Sequence, residues 1–76
     1  MGDEESGVHC RLDELLAERG MTVVRLSELV GVSVVNLSIL KNDRAKAIRY
    51  STLVAICRAL DCEIGDLLVL TAPPVA

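Results

Sequence analysis

Leucines recur at helical spacing in RLDELLAERG, where Leu12, Leu15 and Leu16 share a face and Gly20 closes the segment as a helix C-terminal glycine does. Thr22 is placed to cap a second helix, with Leu26, Leu29 and Val30 as its apolar stripe and Gly31 as its end. Ser33 caps a third, VVNLSILK, with Leu37 and Leu40 on one face. Asn42 and Asp43 break that helix, and KNDRAKAIRY reads as a cationic loop. Ser51 is expected to cap a fourth helix, TLVAICRAL, burying Leu53, Ile56, Cys57 and Leu60. EIGDLL makes one last short helix, and TAPPVA cannot continue regular structure because adjacent prolines remove donors and fix the chain. The pattern predicts an all-α, five-helix domain over residues 8–70, between a flexible acidic start (1–7) and a short tail (71–76). VHCR alternates in polarity and LLVL is apolar, so these two ends can pair as a small sheet, within one chain or between two.

At 76 residues the chain makes one small domain with a thin core. A hydrophobic fraction of 51% excludes intrinsic disorder. No apolar run approaches the roughly 20 residues of a membrane span, and MGDEESG lacks the cationic start of a signal peptide, so a cytoplasmic location is expected. Tyr50 is the only aromatic residue, so aliphatic side chains must fill the interior. Tyr50 itself is expected to pack under the cationic loop with its hydroxyl on a polar group.

The net charge of −3 argues against a phosphate-rich partner until it is resolved along the chain. Residues 36–58 carry Lys41, Arg44, Lys46, Arg49 and Arg58 against Asp43 alone, while both flanks are acidic. Segregation of this kind favours a phosphate contact over a merely solvated connector.

Catalysis and metal binding find little support. The lone His9 lies in a predicted strand, and Asp13, Glu14 and Glu18 sit on exposed helix faces. The sequence has no nucleophile motif or phosphate loop, and leaves no room for a substrate cleft of about 300 Å³. A non-enzymatic protein without cofactor is the expectation. Three cysteines without a signal peptide read as reduced thiols. Cys57 is assigned to the core; His9, Cys10 and Cys62 match no zinc spacing.

Helices two and three, joined through Gly31 and Val32, form the helix-turn-helix pattern. With Leu37 and Leu40 inward, Val34, Val35, Ser38 and Ile39 point outward, and Asn36 and Lys41 lie on the flanks. An exposed second helix beside a cationic loop suits the major groove of DNA.

The run from Gly20 to Leu68, about two thirds of the chain, resembles the Cro/repressor-type helix-turn-helix family, the XRE family. The likeness rests on Gly20-Met21-Thr22, Leu26, Gly31, Ser33, Asn36 to Asn42, Ala45 to Leu53 and Ala55 to Leu68, and extends to the VHCRL strand. It implies a phage-repressor-like fold that binds double-stranded DNA sequence-specifically, as a homodimer on a two-fold operator. Base-reading places then fall on Val34, Val35, Ser38 and Ile39. Phosphate-contacting places fall on Val23, Asn36, Lys41, Asn42, Arg44, Lys46 and Arg49.

Three departures stand out: Val23 where many members carry Gln, aliphatic residues on the outer face of helix three, and Asp43 where Gly often follows Asn42. Aliphatic groups reach thymine methyls but make no bidentate hydrogen bonds, so weaker base discrimination and more shape readout are expected. Asp43 is expected to place a negative charge beside the phosphates. The competing reading keeps the scaffold as a protein-interaction module, antitoxin- or anti-repressor-like, using Val23, Leu29, Val34, Val35 and Ile39 as an apolar contact surface.

Overall fold

The computed structural model describes residues 7–71; the acidic residues 1–6 and the tail residues 72–76 lie outside the described part. The order is β1 (Val8–Cys10), α1 (Leu12–Arg19), α2 (Val23–Val30), α3 (Val34–Lys41), α4 (Tyr50–Leu60), α5 (Ile64–Leu67) and β2 (Leu68–Leu70). This is the expected five-helix domain, and the strand pair forms within one chain. β1 and β2 are antiparallel, with Val8 opposite Leu70, His9 opposite Val69 and Cys10 opposite Leu68. Main-chain bonds from Arg11 N to Leu67 O (2.7 Å) and Thr71 N to Gly7 O (2.9 Å) extend the clasp beyond the ladder.

Local chemistry sets the helix ends. Thr22 Oγ1 accepts from Arg25 N and Ser33 Oγ accepts from Asn36 N, both at 3.1 Å, so each hydroxyl satisfies an otherwise unpaired N–H. Gly20 and Gly31 take left-handed conformations (φ 61° and 72°) that cost other residues about 1 kcal/mol or more. α4 begins one residue earlier than expected: Tyr50 is helical, extended Arg49 occupies the cap position, and no side chain caps the end.

Leu12, Leu26, Leu37, Ile56, Leu60 and Leu67 are fully buried, and among the described residues no polar or charged one shares the core. α2 packs against α3 and α4, and α1 also packs against both. Two core expectations fail. Leu29 is 48% exposed: on the α2 wheel it lies on the opposite side of Leu26 from Val23 and Val30, which pack on the core. Tyr50 is 84% exposed rather than tucked under the loop, because the early helix start puts it on the outer side of α4, one turn before exposed Val54. Among the described residues no helix is long and apolar enough to cross a membrane.

Candidate nucleic-acid interface

α2 and α3 meet at 117°, within the roughly 90–120° range of helix-turn-helix pairs. Leu26 and Leu37 are both completely buried, so the inner sides of the two helices are fixed by packing. The outer side of α3 then presents Val34, Val35 and Ile39, with Val35 the most exposed at 68%, together with Asn36. Ser38 is half-buried at the edge of that face.

The end of α3 folds the chain back onto this surface. Asn42 N donates to Ser38 O (3.1 Å), Asp43 N to Leu40 O (3.1 Å) and Arg44 N to Ile39 O (2.9 Å), with Asp43 left-handed at φ 60°. This is the Schellman motif, which sets the residue after the left-handed one beside the helix residue whose carbonyl it caps. Here that couples Arg44 to Ile39. A surface depression of about 340 Å³ is lined by both, together with Asn36, Lys46, Ile48 and Arg49. Five of the eleven expected contact residues thus share one concave surface. The depression exceeds the volume expected from the sequence, but it lies open on the surface.

The Asp43 carboxylate, expected to place its charge beside bound phosphates, is engaged within the chain. It turns toward β1, where Cys10 N–H donates to Oδ1 (2.8 Å) and His9 Nδ1 donates to Oδ2 (2.7 Å). His9 Nε2 donates at 3.0 Å to Glu14 Oε2, so a doubly donating imidazolium joins α1, β1 and the α3 turn. Hydrogen bonds to Glu14, then Asp43, hold the His9 pKa above its ordinary value. Burial pushes the Asp43 carboxyl upward, but donation from Cys10 N–H and His9 outweighs it and the pKa sits below the usual value. Glu14 is lowered first by its hydrogen bond to His9. The signal for this anchor lay in Asp43 following the helix-ending Asn42: a residue forced left-handed gains from a carboxylate that binds elsewhere.

The remaining expected residues divide. Val34 and Val35 stand at the exposed start of α3, and Asn42 is exposed at its end. Lys41 turns toward α1, with Nζ 3.6 Å from Asp13 Oδ1, so part of its charge is answered within the chain. Val23 packs against the core instead of standing free at the start of α2. Among the described residues no carboxylate pairs with Arg44 or Arg49. Arg58 is exposed on the last turn of α4, apart from this surface. Among the described residues no group of three or more His, Cys, Asp or Glu is placed to hold a metal ion.

Residues 11–73 match the family model of the Cro/C1-type HTH DNA-binding domain. The chain is also similar to the uncharacterized HTH-type transcriptional regulator YozG of Bacillus subtilis (strain 168). The two are 61% identical over 57 residues, which cover 75% of this chain and 68% of that protein. No solved structure matches.

Proposed function

The chain belongs to the Cro/C1-type helix-turn-helix DNA-binding family, a family of regulators rather than an enzyme class, and we propose that it is a sequence-specific transcriptional repressor acting as a cytoplasmic homodimer. The observation that carries this reading is the α3 turn, which couples cationic Arg44 to Ile39 on the outer side of a helix held at 117° to its partner. α3 enters the major groove, where Val34, Val35 and Ile39 meet thymine methyls and the Ser38 hydroxyl offers a donor and an acceptor. Asn36, Asn42, Arg44, Lys46 and Arg49 hold the flanking phosphates, with Lys41 shared between DNA and Asp13. A second subunit reads the matching half-site roughly 34 Å away. The net charge of −3 keeps non-specific affinity low, because the acidic α1 faces phosphate less favourably than the loop does.

A second reading rests on one observation: Val24, Leu29 and Val35 are each about half exposed or more, a costly surface if nothing covers it. On that reading the same scaffold binds a protein. Selection of bound sites from random DNA separates the two. A recovered motif with two-fold symmetry supports the repressor, and failure to retard any DNA at low salt and micromolar protein supports the protein-binding module. Val35→Arg sharpens the result, because it strengthens general DNA binding under the first reading and abolishes a partner contact under the second.

A further inference from the structure

α4 ends in the same backbone motif as α3. Asp61 is left-handed (φ 54°), Asp61 N donates to Arg58 O (3.3 Å), and Cys62 N donates to Cys57 O (2.9 Å). In a Schellman motif the two residues joined by the bond that spans six residues commonly bring their side chains into contact, usually as an apolar pair. At the end of α1 that pair is Leu16 and Met21, joined by a 2.9 Å bond from Met21 N to Leu16 O. At the end of α4 the pair is two thiols, and Cys62 packs against the core cluster that includes Cys57. Cys57 is buried and Cys62 half-buried, both are free thiols, and both line an open depression of about 360 Å³ with Arg58, Asp61, Glu63 and Asp66.

We propose that Cys57 and Cys62 form a reversible disulfide-forming site, closed by a low-molecular-weight disulfide of the glutathione type, that staples the end of α4 to the start of α5 without unfolding the domain. A direct main-chain bond holds the two residues close to the roughly 4.4–6.8 Å Cα separation that a disulfide bridges. Half-buried Cys62 reacts first: its thiolate attacks one sulfur of glutathione disulfide, a mixed disulfide forms, and one glutathione thiolate leaves and takes up a proton. Cys57 then attacks the Cys62 sulfur, forms the intramolecular bond and expels the second glutathione, which takes the Cys57 proton. The chain loses two electrons and two protons, and the oxidant becomes two thiols. Burial first, and the neighbouring Cys62 second, push the Cys57 pKa up to about 11, so the second step is slow at neutral pH and accelerates as pH rises. This site shares no residue with the α3 surface and does not depend on DNA binding.

The test incubates the reduced full chain with glutathione disulfide under native conditions, alkylates the remaining thiols and maps the tryptic peptides. Cleavage after Arg58 separates the two cysteines, so the peptide ending at Arg58 must stay joined to the one beginning at Ala59 until reductant is added. The melting temperature of the oxidised chain should rise by roughly 5–10 °C. Cys62→Ala, which leaves buried Cys57 in place, should form no cross-link and show no oxidant-dependent shift. Cys57→Ala should keep a persistent glutathione on Cys62. A wild-type chain that stops at the glutathione adduct overturns the proposal. So does a cross-link through Cys10 or to a second chain, or a melting temperature that falls on oxidation.

Discussion

The last turns of α3 and α4 share one backbone design and present different chemistry. Each places an aspartate in the left-handed position and closes with a 2.9 Å main-chain bond, Arg44 N to Ile39 O in one and Cys62 N to Cys57 O in the other. The α3 turn sets an arginine beside an outward aliphatic side chain, whereas the α4 turn sets two thiols together at the core margin. α1 separates them by its length of about 12 Å. Its start holds the α3 turn through Glu14, His9 and Asp43, and through Asp13 and Lys41. Its end holds the α4 turn through Arg19, which donates from Nε to Leu60 O (2.7 Å) and from Nη2 to Asp61 O (3.3 Å). A common turn therefore fixes where side chains meet, and the residue pair decides what the meeting does.

The two aspartates give the sharpest contrast. Asp43 is tied by its carboxylate to β1, while among the described residues Asp61 makes no side-chain hydrogen bond. Asp43→Ala should cost about 2 kcal/mol in urea unfolding, because it keeps the left-handed strain and strips Cys10 N–H of a charged acceptor. Asp43→Gly relieves the strain yet loses the anchor, and should still cost about 1 kcal/mol. Asp61→Gly should instead stabilise by about 0.5 kcal/mol, since only the strain is removed. Equal responses at the two positions would break the comparison.

Next in size is the functional difference. Arg44→Ala should weaken DNA binding about tenfold on every sequence, through one lost phosphate contact. The smallest expected effect is on pH. The raised His9 pKa contributes stability that is complete below about pH 6.5 and fades as pH climbs through the folded-state value. The lowered Asp43 and Glu14 pKa values contribute above about pH 4 and fade as pH drops through theirs. The cluster should therefore stabilise most between about pH 4 and 6.5, by under ~1 kcal/mol given its exposure. His9→Ala should flatten the alkaline side of that profile, as read by thermal melting across pH.

Helix order, both glycine stops and the Thr22 and Ser33 caps are legible in the sequence because each depends on residues adjacent in the chain. The outer face of α3 is legible for the same reason, since burying Leu37 and Leu40 turns Val34, Val35 and Ile39 outward. The missed features depend on contacts between distant segments. Leu29 fits the apolar period but lies outside the arc that α3 and α4 cover, and Tyr50 depends on where α4 begins. The Asp43 anchor needs His9 and Cys10, more than thirty residues earlier, brought over by a strand pair that local pattern only suggests. Lys41 looks like one cation of a loop until α1 packs beside it and supplies Asp13.

The most direct test compares the salt dependence of DNA binding for the wild type, Arg44→Ala and Arg58→Ala. The last two remove one cation from the α3 turn and from the α4 turn respectively. Arg44→Ala should lower the slope of log K against log salt by about 0.9, and Arg58→Ala should leave it unchanged. Equal slopes for both variants, or a slope change confined to Arg58→Ala, would contradict this expectation.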